Sequence, residues 1–161
     1  MIKMTKKTFL PAMAACAVAA GVALSGSAQA ADGQQLYNAN CSLCHQVSGA
    51  GVVGQFPPLK GRIAAIASTP EGKTYVMHVL LNGLSGMVKA GGNTYMGYMP
   101  SFGAQTDDNI AAILTYVASL SDVKPAPAFT ADDVKSARGA MLAPAAILDE
   151  RNKLNAAHPV P

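Results

Sequence analysis

Tryptophan is absent from this 161-residue chain, and tyrosine and phenylalanine together make up only 6% of it. Large core residues are therefore scarce, and a chain so composed gains from a large apolar cofactor at its centre. Charge is also sparse, at 13% of residues. The formal net charge of +3 is misleading, because Lys3, Lys6 and Lys7 lie in a basic start followed by an apolar run from Thr8 to Leu24. Ser25-Gly26-Ser27-Ala28-Gln29-Ala30 then places small residues at the two positions a signal peptidase reads, so residues 1–30 are expected to be a secretory signal cut after Ala30. Without those three lysines, nine basic residues face nine acidic ones, and no argument for a nucleic-acid partner survives. No later apolar run is long enough to span a bilayer, so the mature chain is expected to have no membrane span.

Cysteine is scarce as well. Of three, Cys16 leaves with the signal, and Cys41 and Cys44 remain. In an exported chain the default for two cysteines is a disulfide. Here they stand two residues apart and are followed by His45, in "CSLCH", the haem c attachment pattern. Two thiols one helical turn apart can add to the two vinyl groups on one edge of a porphyrin, and the next residue then lies under the ring with its imidazole near the iron. A structural zinc site would need two further ligands, and only His78 and His158 remain, at no recognisable spacing. A thioredoxin-like pair would need a βαβ pattern that is missing. The motif occurs once, near the mature N-terminus, which argues against multihaem carriers, dihaem peroxidases and four-helix gas-binding cytochromes.

"YMGYMPSFG", residues 95–103, offers two soft thioethers, Met96 and Met99, and composition alone does not choose between them. Pro100 lacks an amide donor and holds Met99 extended, which suits a loop laid across a haem face.

From about Asp32 to Leu120 the chain resembles class I c-type cytochromes. The resemblance rests on "DGQQLYNANCSLCH", "FPPLKG", "LNGLSG", "YMGYMPSFG" and "DDNIAAILTYVASL", in that order. It is strongest to monohaem cytochromes that serve periplasmic dehydrogenases or are fused to oxidases and reductases. It implies a small all-α orthogonal helical domain around one covalently bound haem, with His45 as proximal iron ligand. The pattern Tyr-x-Gly-x-Met-Pro puts the sixth ligand on Met99 and leaves Met96 at a variable position. It also implies that the Pro57 carbonyl accepts from His45 Nδ1, and that Leu59, Ile63, Leu80 and Leu84 pack on the ring. Arg62 is a candidate partner for a propionate. Tyr75, Tyr95 and Asn93 are candidates for the role of a propionate-binding Trp that this chain lacks. His78, Met77 and Met87 read as packing residues.

Several helix ends are legible. Thr69-Pro70-Glu71 opens a helix ending at Asn82-Gly83, and Thr106 caps a last helix with Asp107 and Asp108 in its first turn. Gly33 and Tyr37 share a face of the first helix, as Ile113 and Tyr116 do on the last, where the resemblance implies a close crossing. "KAGGNTY" reads as loop, and with no alternating apolar run no substantial sheet is expected.

The domain is expected to end at residue 121, so that 31–121 form the cytochrome c domain and 122–161 a Pro/Ala-rich linker with a short helical tail. In the tail Val134 stands four before Arg138 and Ile147 four before Arg151. Thr130 suits a cap, Pro144 suits a first turn, and the two helices must dock on their own domain or on a partner, a possible subunit interface. "NAAHPVP" is expected to be disordered, His158 with it. The function implied is a periplasmic one-electron carrier and not an enzyme, with a dehydrogenase, oxidase or reductase as redox partner. Docking is expected around Val47, Val52, Val53 and Phe56, by the haem edge at Cys41 and Cys44. The alternative is a haem protein with an open iron site for gas binding or peroxide chemistry.

Overall fold

A computed structural model describes residues 32–161; the expected signal and its cut after Ala30 lie outside the described residues. Seven helices and one hairpin follow in the order α1 (Gly33–Asn40), α2 (Ser42–His45), α3 (Arg62–Ile66), α4 (Pro70–Asn82), β1 (Leu84–Ala90), β2 (Asn93–Met99), α5 (Asp107–Ser119), α6 (Ala131–Ala137) and α7 (Pro144–Ala157). Local chemistry sets most of the ends. Asp32, Thr69 and Thr106 each accept backbone N–H groups in the first turn of α1, α4 and α5, and Pro70 occupies the first turn of α4. Helix α3, in the long connection after α2, has no counterpart in the sequence reading.

Helices α1 and α5 cross closely because position 33 has no side chain: a Cβ there would run into the Ala112 carbonyl. Beside the crossing, Tyr37 and Tyr116 meet with ring centroids 5.4 Å apart. The main core gathers Val76, Met77 and Leu81 of α4, Ile110 and Leu114 of α5, and Val134, Ile147 and Leu154 of the tail. The tail helices thus dock on their own domain. The apolar stripes that suggested a subunit interface are spent inside this chain, with Val134 and Ile147 both 0% exposed.

The repeated tail pattern has a common purpose. Four residues after each buried aliphatic, an arginine bonds backbone carbonyls of the main body. Arg138 gives Nη1 to Gly103 (2.5 Å), Nη2 to Gln105 (2.8 Å) and Nε to Asp107 (2.7 Å). Arg151 gives Nη2 to the Lys89 carbonyl at 2.7 Å. A capping box at Thr130 and Asp133 starts α6, and Lys73 of α4 reaches Asp133 at 2.8 Å. The C-terminus departs from the disorder expected of it: α7 runs to Ala157, and Arg62 donates Nε and Nη2 to the Pro161 carboxylate.

The hairpin corrects the expectation of a loop at "KAGGNTY". Strands β1 and β2 pair antiparallel from Leu84 opposite Met99 to Ala90 opposite Asn93. Gly91 and Gly92, with φ of 53° and 79°, form the two-residue turn that positive φ at both centres permits. The domain remains helical in class, with this two-stranded ribbon as its one sheet among the described residues. No helix among them is long and apolar enough to cross a membrane.

Candidate functional site

A cavity of about 520 Å³ opens between α1–α2, α4, α5 and the hairpin. Every sequence-predicted site residue lies on its wall: Cys41, Cys44, His45, Pro57, Leu59 and Met99. The rest of the lining is mostly apolar, with Ile63, Leu80, Leu84 and Ile113 among its members. Such a cavity suits a large apolar ligand with a few fixed polar contacts.

Helix α2 presents the attachment motif. Its cysteines are free thiols, and burial, then the neighbouring Cys44, pushes the Cys41 pKa up to about 11. His45 is buried, and its Nδ1 lies 2.9 Å from the Pro57 carbonyl oxygen. A carbonyl only accepts, so Nδ1 carries the proton and Nε2 keeps its lone pair. Burial lowers the His45 pKa, the Pro57 bond opposes that, and Arg62 adds to the lowering, so the net effect favours the neutral imidazole. After the motif the chain turns sharply: Gln46 has φ 64°, an uncommon conformation for a residue with a side chain. The Tyr37 hydroxyl holds that turn by donating to the Gln46 carbonyl at 2.6 Å.

The two methionines are separated by strand geometry. Side chains alternate between the faces of a ribbon, so Tyr95, Gly97 and Met99 share one face of β2, opposite Val88, Gly86 and Leu84 of β1. That face is the inner one: Val88 and Tyr95 are buried and Leu84 and Met99 half-buried. Met96 and Tyr98 lie on the other face with Met87. Met96 and Tyr98 border the cavity mouth yet remain 69% and 67% exposed. At the entry to the ribbon Gly83 takes φ 81° and lets the Met99 backbone pass close over it, where a Cβ would stand 2.6 Å from the Met99 carbonyl oxygen.

Of the residues considered for the polar edge, Arg62, Tyr75 and Tyr95 line the cavity. Asn93 does not; it is exposed and bonds the Gly91 carbonyl at the hairpin turn. His78 is a packing residue, its Nδ1 2.9 Å from Glu150 of α7. Among the charged lining residues, the sequence reading does not place Arg151 of the tail at the site. Its spacing from Ile147 signals a buried helix face, but nothing local signals the cavity.

The Cytochrome c family model matches residues 30–121 of the chain. Cytochrome c-552 of Thermus thermophilus is 42% identical over 128 residues, covering 77% of this chain and 97% of that protein. A second cytochrome c-552 of the same species is 42% identical over 128 residues, covering 77% of this chain and 86% of that protein. Both alignments are longer than the family match and so take in part of the tail.

Proposed function

The chain belongs to the Cytochrome c family, and from that premise we propose that it is a periplasmic one-electron carrier whose iron sits between His45 and Met99. Family membership makes it a monohaem electron-transport protein with haem c attached through Cys41 and Cys44 of the CxxCH motif. The further detail is our reading. When bound, haem supplies a ferric/ferrous couple whose potential is set by axial ligands, hydrogen bonding and burial.

The observation that carries the ligand assignment is the position of Met99 on the inner face of β2, while Met96 stands on the outer face. His45, with its Nδ1 proton held by Pro57, offers Nε2, and that bond fixes the ring and raises its basicity. Leu59, Ile63, Leu80 and Leu84 exclude water from the space between the two ligands. A thioether as second ligand favours the ferrous state and a high potential.

Export to the periplasm rests on the basic start, the apolar run and the small residues before Ala30. The partner is a dehydrogenase, oxidase or reductase, which docks by apolar contact near the cysteines. Leu43, Val47 and Val53 are there 90%, 63% and 74% exposed. Small, brief interfaces suit such exchange, and with nine basic and nine acidic residues in 31–161 the turnover is expected to depend weakly on salt.

Carbon monoxide added to the reduced, haem-loaded protein tests the reading. An unchanged optical spectrum is expected, because Met99 holds the sixth position. Prompt stoichiometric binding would overturn it in favour of an open iron site for gas or peroxide chemistry.

A further inference from the structure

Arg138, at the C-cap of α6, and Arg151, inside α7, each stand four residues after a buried aliphatic, yet only one has an acid. Arg138 meets Asp107 at 2.7 Å. Arg151 is the more buried, at 7% exposure, and it bonds the Lys89 carbonyl. Arg151 lines the cavity, as does half-buried Arg62, which is bonded to the Pro58 carbonyl and to the carboxylate of Pro161. Arg151 is paired with no Asp or Glu among the described residues, whereas Arg62 already meets the Pro161 carboxylate.

A cation as buried as Arg151 on the wall of this cavity, with no Asp or Glu side chain bonded to it, is costly unless the occupant of the cavity brings negative charge. Arg62 stands close enough to oppose it: burial, and then Arg151, pushes the Arg62 pKa down to about 10. Tyr75, 3% exposed, faces the same group; burial raises its pKa while the Arg151 and Arg62 guanidiniums oppose the rise.

We propose that Arg151 binds a haem propionate, with Arg62 and Tyr75 completing a cationic, hydrogen-bonding edge for the two carboxylates. A guanidinium fork matches a carboxylate in geometry and charge. The assignment rests on the haem filling this cavity, and it goes beyond the family pattern, since Arg151 lies thirty residues past the end of the family match at residue 121. It gives α7 a second attachment besides Ile147 and Leu154: the charged edge of the haem ties the tail to the body.

Two measurements on the haem-loaded full chain test it. In Arg151→Gln, poised at the ambient potential where the unaltered protein is half reduced, the ferrous-to-ferric ratio is expected to fall on the order of tenfold, because the lost cation leaves a propionate charge uncompensated and favours ferric iron. Arg151→Lys keeps the charge and should stay within about threefold. A ratio within about twofold of the unaltered protein in a folded Arg151→Gln variant would reduce Arg151 to a structural strap through Lys89 and overturn the proposal. Proton NMR of the unaltered ferrous protein needs no variant: contacts from propionate methylenes to the Arg151 side chain are expected, and propionates that touch neither Arg151 nor Tyr75 would overturn it. Neither readout depends on which methionine ligates iron, so this proposal and the Met99 assignment can fail separately.

Discussion

Residues 31–121 and residues 122–161 divide the molecule in a way their packing does not. The first region carries both thiols, His45 and Met99, and the family match ends with it. The second carries no attachment group, yet it puts Phe129, Val134, Ala137, Ile147 and Leu154 into the same core as α4 and α5. One region makes the cofactor chemistry and the other covers it. A family boundary therefore need not be a folding boundary: a body thin in large side chains leaves apolar surface on α4, and here the chain's own tail closes it.

The comparison breaks most sharply if the tail is removed. Truncation after Ser121 takes those buried apolar residues from the core and exposes their partners on α4 and α5. The loss should exceed about 5 kcal/mol, the lower end of whole-domain stability, so thermal unfolding of the truncated protein should lose its cooperativity. A sharp transition near that of the full chain would show that 31–121 is self-sufficient. Ile147→Ala is the milder version, with an expected cost of about 2–5 kcal/mol in denaturant titration; a change below about 1 kcal/mol would mean that α7 merely rests on the body.

Gly33→Ala strikes the body itself. The new methyl meets the Ala112 backbone carbonyl, and forcing α1 from α5 should cost about 1–3 kcal/mol, with an unchanged midpoint arguing that the crossing is slack. The smallest effect belongs to the seam between the regions. The Lys73 ammonium, and then the Thr130 N–H, lower the Asp133 pKa below the usual carboxylate range. A depressed pKa contributes stability above the unfolded value, near about 3.9, and that contribution is lost as pH falls through the lower folded value. Asp133 is a third exposed, so Asp133→Asn should cost less than about 1 kcal/mol at pH 7. It should also flatten the stability profile below about pH 4; an unaltered acid limb would remove Asp133 from the seam.

How much of this is legible in the sequence follows from the range of each interaction. The caps at Thr69, Thr106 and Thr130 involve neighbours three residues apart, and they read directly. The attachment motif is equally local. The ribbon escapes because β1 and β2 are poor in β-branched residues and carry glycines at 86 and 97, so the alternation on which a strand is recognised is faint. The Gly91-Gly92 pair between them is the available turn signal, and it reads equally well as loop. That omission matters, since the faces of the ribbon are what separate Met99 from Met96. Arg151 is beyond reach, because its bond to Lys89 spans 62 residues and its access to the cavity depends on where α7 crosses the hairpin. The tail's buried stripes are visible as a spacing, but spacing does not say that their own body will receive them.

The measurement closest to the central claim compares Met99→Ala with Met96→Ala in the reduced, haem-loaded protein exposed to carbon monoxide. The inner-face assignment predicts stoichiometric binding and a lowered reduction potential in Met99→Ala, while Met96→Ala keeps the spectrum and potential of the unaltered protein. Carbon monoxide binding in Met96→Ala, with Met99→Ala unchanged, would contradict it.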